Sequence, residues 1–214
     1  MSNHVQPSDL ELAALISSKI CHDVIGPVGA IYNGLEILND DDDAASQSYA
    51  LDVIRNVTEQ ASARLQFARF AFGAAGSAGA EIELETARQI SQGLVGEGKH
   101  KLHWNGVAAM LPKNQVKLLL NLIACAITAL PRGGDITVDI STGSPELSFV
   151  LRCSGRGARL PQYLSEFVSG STDIEIDALS IHAYYTWRLA SETDIAIAFE
   201  HDGNDVILSA RKAI

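Results

Sequence analysis

His22-Asp23-Val24-Ile25-Gly26-Pro27 lies in the middle of a long amphipathic run, and the pattern around it decides the fold of the first third of the chain. Ser8-Asp9 supplies a helix start, a capping residue followed by an acid in the first turn. The apolar period continues to about Asn39 and stops at Asp40-Asp41-Asp42-Asp43. A second helical pattern runs from about Ala45 to Phe72, where Gly73-Ala74-Ala75-Gly76-Ser77-Ala78-Gly79 breaks it as a flexible linker. The two runs predict an antiparallel helical hairpin. The four aspartates read as its solvated turn: consecutive turn residues point in different directions, and no glycine or distal glutamate completes a calcium loop.

Such a hairpin cannot bury its apolar stripe alone. At about 100° per residue, Ala13, Ile16, Ile20, Val24, Ile31, Leu35 and Leu38 fall within roughly 100° of arc. Ala50, Val53, Val57, Ala61, Ala68 and Ala71 form a comparable seam on the second helix. Two hairpins packed on these seams make a four-helix bundle, so a homodimer is expected.

His22 lies about 200° from Ile20 and points away from that seam. Leu15, Ser18, Gly26, Gly29 and Asn33 share its outward face, with Ile25 on the flank. Each glycine costs the helix roughly 1 kcal/mol, and the missing side chains let another molecule's backbone approach the ring. Pro27 removes the amide that would bond to the carbonyl of Asp23, which loosens or kinks the helix one turn beyond the histidine. Leu15 and Ile25 leave apolar groups on the solvent side, as a docking surface requires. A neutral imidazole, with a reference pKa of about 6.5, suits nucleophilic attack near neutral pH. Asp23 is a candidate for holding the other ring nitrogen, although adjacent residues on a helix do not naturally face each other. The bland alternative is a surface histidine on a bundle helix, and the wheel alone does not separate the two.

From about Ala80 the pattern alternates. Leu84 to Val95 is helix-like, Lys101 to Trp104 strand-like, and Pro112 to Leu130 a long helix opened by proline and stopped at Pro131-Arg132-Gly133-Gly134. Strands are expected at Ile136 to Ile140 and Leu147 to Leu151, joined through Thr142-Gly143-Ser144-Pro145. A helix from Ile176 to Ser191 precedes two last strands, Ile195 to Phe199 and Val206 to Leu208, which meet at Asp202-Gly203-Asn204. The fold class is therefore α+β, with an N-terminal hairpin forming a dimeric four-helix bundle (1–75) and an α/β sandwich (80–214) whose helices lie on one face of a mostly antiparallel sheet.

Composition narrows the function classes. A hydrophobic share of 47% argues against global disorder. The longest apolar run, Leu118 to Leu130, is interrupted by Asn121 and is too short to span a bilayer. Residues 1–7 have neither the basic patch nor the apolar block of a secretory signal. Three scattered cysteines argue against a disulfide framework and fit a reducing cytoplasm. A formal net charge of -10 argues against direct nucleic-acid binding.

The motifs then match a family. His22-Asp23, with Pro27 five places after the histidine, resembles the phospho-acceptor box of sensor histidine kinases. The run Leu120-Asn121-Leu122-Ile123-Ala124-Cys125-Ala126, followed by residues 131–138, resembles the kinase N-box helix and the strand after it. Leu151-Arg152-Cys153-Ser154-Gly155-Arg156-Gly157 resembles the kinase Asp-x-Gly-x-Gly loop. Cys125 stands where that family places the asparagine that holds magnesium, and Cys153 where it places the aspartate that binds adenine. Between Gly157 and the last helix there is no Gly-x-Gly phosphate loop, only Ser169-Gly170-Ser171-Thr172. A thiol offers neither a hard oxygen ligand for magnesium nor a strong carboxylate acceptor.

A histidine kept beside a nucleotide site lost is the design of the dimeric histidine phosphotransferases, which the chain resembles over nearly its whole length. The resemblance implies a phosphotransferase that works through a phosphohistidine on His22 without binding ATP. Asp23 would orient the ring, and Leu15, Ser18, Lys19, Ile25, Gly26 and Gly29 would dock the partner. It also implies cytoplasmic work in a two-component phosphorelay of the cell-cycle type. The donor would be the receiver domain of a hybrid histidine kinase and the acceptors response regulators, with no cofactor in this chain and magnesium carried by the receiver. Two other readings stay open: a working sensor kinase that tolerates Cys125 and Cys153, and a non-catalytic dimeric adaptor that sequesters receivers.

Three further groups of residues remain. His100 and His103 begin a strand, where residues three apart face opposite sides, so no metal site is expected there. Arg152, Arg156 and Arg159 form a solvated basic cluster around the former nucleotide loop, and Arg64 and Arg69 on the second helix are candidates for offsetting phosphate charge.

Overall fold

A computed structural model describes residues 6–40, 43–73, 79–96, 98–143, 147–171 and 174–212. Helix α1 spans Asp9–Asp40 and α2 spans Ala44–Ala71. The start of α1 is a reciprocal capping box: the Ser8 N–H and hydroxyl each donate to the Glu11 carboxylate at 2.8 Å, and the Glu11 N–H donates back to Ser8 Oγ. Asp43 caps α2 by accepting from the Ser46 N–H at 3.0 Å. The rest of the expected aspartate turn, residues 41 and 42, lies outside the described residues. The helices cross closely at Gly34, where a Cβ would stand 2.7 Å from Ile54 Cγ1.

By length and composition alone α1 is apolar enough to cross a bilayer. Its apolar residues are deployed in two ways. Ile20, Val24, Pro27, Ile31 and Gly34 are buried or half-buried against α2, while Val28, Tyr32 and Leu35 remain exposed. The expected seam is drawn partly inward, while its Leu35 stays exposed. Most of the residues assigned to the dimer interface are used inside the protomer, and the exposed apolar stripe lies about 80° further round the helix. On α2 the exposed apolar residues are Tyr49, Leu51 and Leu65.

The second unit begins with a short strand β1 (Glu81–Glu83) and helix α3 (Leu84–Val95). Strands β2 (His100–Asn105) and β3 (Met110–Pro112) precede the long helix α4 (Lys113–Ala129). Pro112 caps α4 from outside, because it also ends β3, where it pairs with Glu81. Strands β4 (Gly134–Ser141) and β5 (Ser148–Ser154), helices α5 (Gln162–Ser169) and α6 (Ile181–Glu192), and strands β6 (Ile195–Asp202) and β7 (Asp205–Lys212) follow. Part of the expected β4–β5 turn, residues 144–146, lies outside the described residues, as does most of the expected linker, 74–78.

Five strands form one sheet in the order β2-β4-β5-β7-β6, antiparallel except for the parallel pair β2–β4. Burial alternates along β4, β5 and β7, so one face meets the helices and the other meets water. Gly203, at φ +62°, turns β6 into β7.

Two expectations fail here. The α6 helix starts at Ile181 rather than Ile176, because the Asp177 carboxylate accepts the N–H groups of Leu179 and Ser180 and closes a turn first. Helix α5 had no counterpart in the sequence reading. The apolar core runs without a break from Phe67 and Ala71 of α2 into α3, α4, α6 and the sheet. Hairpin and sandwich are thus packed on each other.

Candidate functional site

His22 projects from the middle of α1 with its side chain 82% exposed. Gly26 and Gly29 follow on the same side, and a Cβ built on either meets nothing within 4 Å. Ser18 and Ile25 are also exposed, Ile25 at 70%. These five positions form the open patch that the helical wheel predicts.

Leu15 and Lys19 do not belong to it. Leu15 is half-buried and packs against the core, on the side where α1 meets α6. Lys19 is mostly covered, and its Nζ grips the Asp23 carboxylate, 2.6 Å from Oδ1. Both face the second unit, whose packing onto the hairpin the wheel cannot know. Asp23 Oδ1 lies 3.6 Å from His22 Nδ1, beyond hydrogen-bond range, and the carboxylate is committed to Lys19 instead.

Pro27 sits inside a helix that remains continuous. The carbonyl of Asp23, deprived of its usual partner, is taken by Arg64 of α2, whose Nη1 donates to it at 2.7 Å. Arg69, the other candidate on α2, lies over the Phe70 ring at 4.8 Å.

Behind Asp23 a cleft of about 390 Å³ separates the hairpin from the second unit. Lys19, Asp23 and Arg64 stand on one wall and Cys125, Arg159 and His182 on the other. His182 packs edge-on to Phe72, with ring centroids 5.4 Å apart. Its Nε2 is buried without a hydrogen-bond partner. Burial, with the Lys19 ammonium nearby, pulls its pKa down to about 4, so the ring is neutral.

The altered nucleotide positions are interior. Cys125 is 5% exposed with its sulfur 3.8 Å from Thr186 Oγ1, and Cys153 is fully buried with its thiol 3.9 Å from the Ala126 carbonyl. Burial pushes both thiols up to about 12, so both are protonated near neutral pH. The Asn121 amide on the same helix donates to the carbonyls of Ala71 and Lys117, which ties α4 to the end of the hairpin.

Arg152 is not free, as the sequence suggested. It forks between Asp202 and Asp205, at 2.8 and 2.9 Å, and bridges the β6–β7 hairpin to β5. Arg156 and Arg159 are exposed. His100 bonds to the Leu130 carbonyl and His103 to Asp135. No group of three or more His, Cys, Asp or Glu suited to a metal occurs among the described residues.

Sequence reasoning missed Arg64's partner and the inward-facing His182. Pro27 was the available signal for the first, since a proline inside a helix leaves one carbonyl to be satisfied from elsewhere.

Comparison with known proteins gives the family. A family profile described as "Histidine phosphotransferase C-terminal domain" matches residues 84–205, from the first residue of α3 to the start of β7. The chain is 42% identical over 211 residues to "Protein phosphotransferase ChpT" of Brucella abortus (strain 2308), covering 98% of this chain and 100% of that protein. A bacterial phosphotransferase of known structure superposes with a TM-score of 0.88 at 39% identity, covering 96% of this chain and 98% of the other. The chain belongs to the histidine phosphotransferase family.

Proposed function

We propose that His22 is the phospho-acceptor and that it relays a phosphoryl group between receiver domains. The imidazole lone pair on Nε2 attacks phosphorus of an aspartyl-phosphate. The bond from phosphorus to the acyl oxygen breaks, and its electron pair leaves with the donor's carboxylate. The second transfer runs the same exchange in reverse, onto the aspartate of another receiver. Phosphoryl transfer is mostly positioning and charge neutralisation. The receiver brings aspartate, magnesium and a lysine, and this chain brings the ring and a surface to dock on.

The observation that carries the reading is the exposed His22 ring beside the bare backbone of Gly26 and Gly29. Ser18 and Ile25 extend the docking patch. The buried thiols at Cys125 and Cys153 speak against a working kinase. We assign the donor to the receiver of a hybrid histidine kinase and the acceptors to response regulators, in cell-cycle control and in the cytoplasm. The working unit is a homodimer joined through the exposed apolar stripe of α1 and Leu51 and Leu65 of α2. Residues 1–75 carry phosphotransfer and dimerisation, and residues 80–214 form the degenerate ATPase-like unit. An adaptor would be indifferent to the ring. Incubating the chain with a phosphorylated receiver and a second receiver tests the reading: His22→Ala should abolish passage of label to the second receiver, and continued passage would overturn the assignment.

A further inference from the structure

We infer that Arg64 is a positioning residue for the transfer, acting on the backbone of α1 and not on the phosphoryl group. This rests on the reading of His22 as the phospho-acceptor. Pro27 has no N–H, so the carbonyl of Asp23, the residue next to His22, has no partner within its own helix. A free carbonyl there gives the turn bearing the histidine a second choice, to tilt outward and bond water, which bends a helix.

Arg64 removes that choice. Its Nη1 donates to the Asp23 oxygen at 2.7 Å, across 41 residues of sequence and from the other arm of the hairpin. The side chain of the same residue is held independently, by Lys19 at 2.6 Å. The Lys19 bond lies within α1 and orients the Asp23 side chain, whereas the Arg64 bond ties the backbone beside the ring to the other arm of the hairpin, so that turn shifts relative to α2 only by breaking a charge-assisted bond. Transfer between two proteins needs the nucleophile held in line, and a displacement of about 1 Å costs on the order of a hundredfold in rate.

A charge role for Arg64 and a carbonyl-holding role make opposite predictions in one double-mutant cycle. Pro27→Ala restores an N–H at position 27, able to bond the Asp23 carbonyl from within the helix. In the natural background Arg64→Met, which keeps the apolar stem, should lower the single-turnover rate at saturating receiver by roughly tenfold to a hundredfold. The receiver concentration giving half-maximal rate should stay unchanged. In the Pro27→Ala background the same substitution should cost less than about twofold, because the carbonyl is already satisfied. Arg64→Lys, which retains one donor, should recover part of the loss.

An equal loss in both backgrounds would assign Arg64 to charge neutralisation and overturn the inference. So would a normal rate for Arg64→Met. Thermal unfolding of each variant is followed alongside: a rate loss that appears only where the protein is partly unfolded also overturns it. His22→Ala in parallel keeps the two claims apart, since label on that variant refutes the phospho-acceptor whatever Arg64 does.

Discussion

The thiol of Cys153 lies 3.9 Å from the carbonyl oxygen of Ala126, sealed between β5 and α4 with no exposed surface. A kinase of the resembling type uses that position for a carboxylate that reads adenine. Here the space belongs to the core, and its chemistry is that of a small apolar side chain.

Restoring the kinase residue should therefore harm the fold without restoring nucleotide binding. Cys153→Asp places a carboxylate among apolar neighbours and should cost about 3 kcal/mol or more, lowering Tm by roughly 10 °C. Calorimetry with ATP and magnesium should give no binding heat for the natural chain. Micromolar affinity would reinstate the sensor-kinase reading.

Position 29 tests the docking face. A side chain at Gly29 meets nothing within 4 Å, so Gly29→Leu should leave folding and dimerisation intact. It should cut transfer about a hundredfold by holding the receiver away from His22. Normal transfer by a folded Gly29→Leu dimer would move the docking surface elsewhere.

Tyr32 and Leu35 are exposed at 63% and 47%, and the proposed dimer uses them rather than Ile20. Leu35→Asp should shift the protein to monomer in sedimentation velocity with helix content kept. Ile20→Ala, at a site half-buried beside α2, should instead lower stability and leave a dimer. The reverse pattern would place the interface on the Ile20 side of the expected seam.

His182 gives a pH signature. Its pKa in the fold is pulled down to about 4 by burial and by Lys19, against an ordinary value of 6.5. A depressed folded pKa means that the unfolded chain binds the proton more readily. The stability held with His182 neutral is thus fully present above about pH 6.5 and is lost progressively as pH falls towards 4. His182→Phe should flatten that part of the stability–pH curve, and an unchanged slope would mean that other groups set it.

The regular elements were legible because their signals are local. Ser8 with Glu11 marks the start of α1, Asp43 the start of α2, and Gly203 the last hairpin. The open patch of Ser18, His22, Ile25, Gly26 and Gly29 follows from helical geometry alone. The partial burial of Leu15, expected on the solvent side, and of Lys19 was not legible, because it depends on the second unit, whose α6 lies some 160 residues away in sequence. The strands β1 and β3, three residues each, are too short to show a period. Arg64 was visible as a residue but not as a partner of Asp23, since that bond depends on how the two arms of the hairpin cross at Gly34.

The central claim is that the phosphoryl group resides on His22. The direct measurement is to phosphorylate the chain from a labelled receiver, quench in alkali, where phosphohistidine survives, and locate the label by peptide mass spectrometry. The account predicts a single phosphorylated peptide containing His22, with the modification on that ring and no labelling of the His22→Ala protein. A label on another residue, or on the His22→Ala protein, would contradict it.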